Sequence, residues 1–328
     1  MTFRHVPAIA LLALGGWAAI VQATWAQQPP TRSFAPGVVT VIPGKPEEAE
    51  TTSEPAPLKS VDSLANPWQP NYAPVTETLE ALAKDVILRR PVWQLEFSFK
   101  PMNMIEVDVP AAGGRIARQS VWYLVYQVRN RGNHLNPKPV KDKFGHDLFT
   151  AERVNMPVRF FPLFTLESHD ATATSDGSMN KPLAYSDRVL PSAIRQIHAI
   201  EIKDPRIPLH DSVSISSQQL EVSTDEEDRA LWGVATWLGV DPRTDFLSVY
   251  VQGLSNAYRE EAGVNGAPDQ ILAKTLKLNF WRPGDEIDAT RPEFHFGIPL
   301  VQDPAEQERL LRAYSVDERT DFQWVYRP

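Results

Sequence analysis

The sequence predicts an all-β protein: a mostly antiparallel, immunoglobulin-like β-sandwich, elaborated by two or three short helices. Three observations predict it. Apolar and polar residues alternate with period two in several runs from Trp93 onward. Other runs, Ser120–Val128 and Leu231–Trp237, are apolar or small on both sides, as strands covered on both faces are. Turn residues punctuate these runs at short intervals, giving about ten strands.

Taken in order, the chain begins with Arg4 and His5 ahead of an apolar run from Val6 to Val21, followed by small residues near Ala23 and Ala26. That is the pattern of an export signal over residues 1–26. The run is short for a bilayer span, so the expected location is periplasmic or extracellular, with no membrane span after cleavage and an uncleaved anchor as the alternative. Residues 27–75 hold ten prolines and a cluster of glutamates at 47, 48, 50 and 54. Such a composition buries little apolar surface, so this segment is expected to be a disordered spacer. The folded domain is expected over 76–328 as one elaborated sandwich; two packed halves with a break near residue 225 are the alternative.

Within it, Thr76–Arg90 has a capping Thr, early glutamates, late arginines and a stop at Pro91, and predicts a helix. Trp93, Leu95, Phe97 and Phe99 share one side of a strand, and Ile105, Val107 and Val109 one side of the next. Ser120–Asn130 predicts a central strand with a layer on each face. Its YQVRN ending is of a type common in immunoglobulin-like sandwiches. Residues 131–156 look like loop. Val158–Glu167 predicts an edge strand with Pro162 inside it, and Ser168–Lys181 a surface loop. Pro191–Glu201 predicts a helix from Pro at its first position and Ile194, Ile197 and Ile200 on one side. Ser212–Leu220 predicts a weak strand.

Leu231–Trp237 and Phe246–Leu254 flank the turn Val240–Asp245 and predict an antiparallel hairpin. Phe246, Ser248, Tyr250 and Gln252 share one face of the second strand, and Leu247, Val249 and Val251 the other. Lys274–Trp281 alternates again. Asp303, Pro304 and Glu306 predict an N-cap, a first helical residue and a capping box for a helix to Tyr314. Phe322–Tyr326 closes the sheet. The pattern VDxRTDF occurs at Val240–Phe246 and at Val316–Phe322. It reads as one turn solution used twice, or as a duplicated cation site with Asp241/Asp245 and Asp317/Asp321 as oxygen ligands.

Several phrases, among them Val121-Trp122-Tyr123-Leu124-Val125-Tyr126, Tyr250-Val251-Gln252-Gly253-Leu254 and Leu278-Asn279-Phe280-Trp281-Arg282-Pro283-Gly284-Asp285, resemble a family of exported proteins of planctomycete-type bacteria. The resemblance covers about residues 92–328. It implies lineage and export, and no activity, ligand or site residue.

The chain has 33 basic and 41 acidic residues and a formal charge of −8, against a nucleic-acid face or a polybasic membrane patch. It has no cysteine, which removes disulfides, thiol chemistry and cysteine–metal sites together. No cofactor motif is present. Three His-Asp dipeptides, at His146, His169 and His210, are the metal-site candidates, set against plain solvated loops. Trp237 and Trp281 are the candidates for stacking sugars, set against rings that fill the core. The expected role is a non-enzymatic exported module serving the cell envelope or binding a protein. A carbohydrate-binding module and a metal-dependent hydrolase built on the His-Asp loops are the alternatives.

Overall fold

Period-two alternation becomes two facing sheets in the computed structural model, which describes residues 32–33, 39–52, 87–110, 115–170, 182–261, 270–283 and 294–328. In chain order the strands are β1 Arg32–Ser33, β2 Thr40–Ile42, β3 Glu96–Phe99, β4 Asn103–Pro110, β5 Ile116–Arg129, β6 His134–Lys141, β7 Asp147–Val154, β8 Leu163–Ser168, β9 Leu183–Ser186, β10 Leu209–His210, β11 Leu231–Leu238, β12 Phe246–Gln252, β13 Tyr258–Glu261, β14 Gln270–Trp281, β15 His295–Phe296 and β16 Phe322–Arg327. Three helices are described: α1 Pro191–Glu201, α2 Ser212–Ser216 and α3 Pro304–Ala313.

The larger sheet runs β1-β15-β14-β12-β8-β9, with β13 and β16 also on β14. The smaller runs β10-β11-β5-β3-β2, with β4 on β5. The ladders are antiparallel except β10–β11. The sheets meet across one apolar cluster, with Phe97, Trp122 and Trp237 from the smaller and Phe164, Val249 and Phe280 from the larger. Each such side chain contributes roughly 1.5–3 kcal/mol when fully buried. In a chain without cysteine, this inter-sheet layer holds the fold. Ladders from both sides of residue 225 interleave, β5 with β11 and β8 with β12, and Thr31–Pro328 is one compact unit.

The two-sided burial of β5 has its expected cause. Trp122, Leu124 and Tyr126 face the opposite sheet, while Val121, Tyr123 and Val125 lie under Ala193 and Ile197 of α1. Helix α1 occupies the range its sequence predicts. Helix α3 begins after Asp303, whose carboxylate accepts from Ala305 N at 3.0 Å.

Other expectations are corrected. Strands β11 and β12 are not a hairpin: β11 pairs with β5 and β12 with β8 and β14, in different sheets. Both strands are buried on both faces, a pattern a hairpin shares, so the alternation could not separate the two. The residues between them span about 23 Å when extended, ample for a step of about 10 Å between layers. Residues 131–156 are not loop but the two-stranded sheet β6–β7. Its exposed faces carry no apolar period to read. Ser212–Leu220 is not a strand: Asp211 accepts from Val213 N at 2.9 Å and Ser214 N at 2.6 Å and starts α2.

The spacer reading of 27–75 fails at residues 39–52. There β2 pairs with β3, Ile42 is buried, and a 3-10 turn over Glu48–Thr51 places Glu50 against Lys274. The helix read over Thr76–Arg90 is described only at 87–90, which is not helical, with Arg89 bridged to Thr52. The export signal lies outside the described residues.

Gly253 ends β12 with φ +92°, and a Cβ there would meet the Phe161 carbonyl oxygen at 2.1 Å. Gly253→Ala combines a left-handed backbone with a backbone clash. It is expected to destabilise by more than about 1 kcal/mol, read as a lowered urea midpoint at unchanged slope.

Candidate functional site

The strand register puts one polar row on the outer face of the larger sheet. Tyr250 lies opposite Thr165 on β8 and Lys277 on β14, and Ser248 opposite Glu167 and Asn279. The intervening residues Val249, Leu166 and Leu278 are in the core. At one end this row is covered by the α3 segment, where Ile298, Leu310 and Tyr314 form a small apolar cluster against Phe246. Tyr314 plugs it: its hydroxyl donates to the Phe280 carbonyl at 2.6 Å, and its carbonyl accepts from the buried Lys277 ammonium.

Beneath the plug runs a buried hydrogen-bond chain. Asn279 donates from Nδ2 to the Thr320 carbonyl at 2.9 Å, so its Oδ1 is the acceptor for the Ser248 hydroxyl at 2.8 Å. That hydroxyl has one proton, so its 2.8 Å contact with His169 Nε2 is donated by the imidazole. A serine nucleophile needs the opposite direction, with the histidine accepting from the hydroxyl. Here the proton order makes the pair a structural link. His169 Nδ1 is buried without a partner among the described residues. Burial, then the charges of Lys277 and Arg327, pull the His169 pKa down to about 3. Burial lowers that of Lys277 to about 8.

The other end of the row is open. A cavity of about 220 Å³ is lined by Leu163, Thr165, Tyr250, Gln252, Thr275 and Arg327, with Pro328 at its rim. The Arg327 guanidinium lies 3.7 Å from the Tyr250 ring centre and pairs with Glu167 through Nη2 at 2.5 Å. Its Nη1 is enclosed and has no hydrogen-bond partner among the described residues, which costs about 1–3 kcal/mol. Burial, with Glu167 alongside, raises the Tyr250 hydroxyl well above its ordinary pKa, so it stays protonated. The volume lies below the roughly 300–1,000 Å³ of drug-sized sites, and suits a single side chain or small polar group.

The structure does not bring the His-Asp candidates together. His146 sits in the exposed β6–β7 turn, bonded to Asp142 at 3.2 Å, while Asp147 pairs with Lys141 at 2.6 Å. Asp170 points away from its neighbour His169 and accepts from Asp245 N and Phe246 N at 3.0 and 3.1 Å. His210 lies in β10 of the other sheet, half-buried, and Asp211 caps α2. Among the described residues no three His, Cys, Asp or Glu side chains group as a metal site.

Trp237 is fully buried and offers no sugar platform. Trp281 is half-buried, with its ring stacked on His295 at 4.4 Å and 19°, so one face is covered. In the repeated VDxRTDF pattern, Asp241 is spent on its own turn, bonding Arg243 N at 2.9 Å and the Arg243 guanidinium at 3.0 Å. The two copies launch β12 and β16, both paired with β14. The arginines differ, since Arg319 reaches beyond its own turn and donates to the Ile298 carbonyl at 3.0 Å.

Sequence reasoning did not single out Thr165, Glu167, Thr275, Lys277 or Arg327. The available signal was the polar alternate face of three strands; which strands are neighbours is absent from any one of them. No known protein family, curated protein or solved structure matches the chain.

Proposed function

We propose that this protein is an exported, non-enzymatic β-sandwich module that binds a component of the cell envelope through the open end of its larger sheet. The observation that carries the reading is the cavity at Tyr250 and Arg327, a polar pocket with apolar walls left uncovered where α3 stops. A rigid four-strand floor holds these groups, and sites on strands are positioned more firmly than sites on loops. Export rests on the signal pattern over residues 1–26 and on the family resemblance, and the immunoglobulin-like classification on the antiparallel two-layer arrangement.

The test is retention of the purified chain on washed envelope material from the source cells. Thr165→Trp fills the cavity from its floor, where the threonine is only partly buried. It is expected to remove most of the retention while leaving the unfolding free energy within about 1 kcal/mol of the parent. Equal retention of the filled variant overturns the reading, as does turnover of a hydrolase substrate panel by the purified chain.

A further inference from the structure

We propose that the cavity takes a monoanionic carboxylate group, held by Arg327 against the Tyr250 ring. This deepens the envelope-binding reading and rests on it. The chain as a whole is acidic, at −8, yet this patch is not. Two cations, Arg327 and Lys277, lie on this face beside the Glu167 carboxylate. Lys277 is 2% exposed and donates to the Tyr314 carbonyl, so its burial lets it supply field and not contact. Burial lowers the His169 pKa first, and the nearby charges of Lys277 and Arg327 lower it further.

The geometry selects the ligand. Arg327 is a planar fork fixed by stacking on Tyr250 at 3.7 Å, with 35% of its side chain exposed. Arginine matches carboxylates in plane through paired N–H donors. Glu167 already occupies one edge at 2.5 Å, so the chain itself demonstrates the pairing. A phosphate dianion brings twice the negative charge to close range of Glu167. The protonated Tyr250 hydroxyl and the Thr165 and Thr275 side chains complete a polar lining around the entering group.

The probe is sodium acetate, titrated into the ¹⁵N-labelled full chain and followed by amide shifts, with acetamide as the neutral isostere. Acetate is expected to give saturable shifts centred on Thr165, Tyr250, Thr275 and Arg327, and acetamide none. Arg327→Gln is expected to weaken binding about tenfold or more, the scale of losing a hydrogen bond to a charged group. Glu167→Gln removes the internal competitor and is expected to tighten binding several-fold, an outcome that damage to the fold would not produce.

Equal shifts with acetamide, no saturable acetate shift at these positions, or weaker acetate binding by Glu167→Gln overturns the carboxylate assignment. If acetate fails while Thr165→Trp still abolishes envelope retention, the carboxylate assignment alone is wrong. If retention ignores Thr165→Trp, the envelope-binding reading itself falls.

Discussion

Glu50→Ala is expected to lower stability by about 3–5 kcal/mol, the cost of leaving a buried charge without its partner. Glu50 and Lys274 are 7% and 4% exposed at their side chains and form an ion pair, with the Tyr326 hydroxyl donating to the same Glu50 oxygen at 3.1 Å. Removing the carboxylate strands the Lys274 ammonium beside the Trp324 ring, 5.4 Å from its centre, a contact that does not replace a carboxylate. The pair itself adds little net stability, because two charges had to leave water to form it. The double variant Glu50→Leu/Lys274→Met is therefore expected to recover most of the loss. Urea unfolding of the parent, both single variants and the double variant closes the cycle. A single variant within about 1 kcal/mol of the parent would show that residues 39–52 do not help hold the domain together.

Acid is expected to destabilise the fold through His169. The unfolded imidazole takes up its proton near pH 6.5, whereas the folded one, pulled down by burial and by Lys277 and Arg327, resists until about pH 3. Below pH 6.5 the unfolded state binds the extra proton, so stability is full above that pH and is lost as pH falls toward 3. At about 1.4 kcal/mol per pH unit the whole interval is worth roughly 5 kcal/mol. His169→Gln keeps an N–H for Ser248 and has no proton to gain. It is expected to sit below the parent at pH 7 and to lose less stability between pH 6.5 and 4. His134 and His210, also lowered by burial, leave the variant a residual slope. Parallel stability–pH curves for parent and variant would remove His169 as the source.

Much of the fold was legible because burial writes itself into local pattern. Ser120–Asn130 reads as doubly covered since its two faces meet two different cores, and α1 and α3 read from proline starts and apolar spacing. The β6–β7 hairpin did not, because strands exposed on both faces keep no period. Helix α2 did not, because five residues started by an Asp cap hold too little pattern to outweigh the β-branched valine and isoleucine beside them. Glu50 was read among the spacer glutamates, since nothing near it in sequence announces Lys274. The three His-Asp pairs looked like one chemistry repeated. In space they are a hairpin turn, a backbone clasp on β12 and a helix cap.

The sequence by itself determined the core strands, the starts of α1 and α3 and the two faces of those strands, all properties of residues within a few positions of one another. Only the tertiary structure decided that β11 and β12 part into different sheets, and that Glu167, Tyr250, Lys277 and Arg327 share one face. Register between strands is set by which greasy faces pack together, and that choice involves residues far apart in sequence, 160 positions in the case of Glu167 and Arg327.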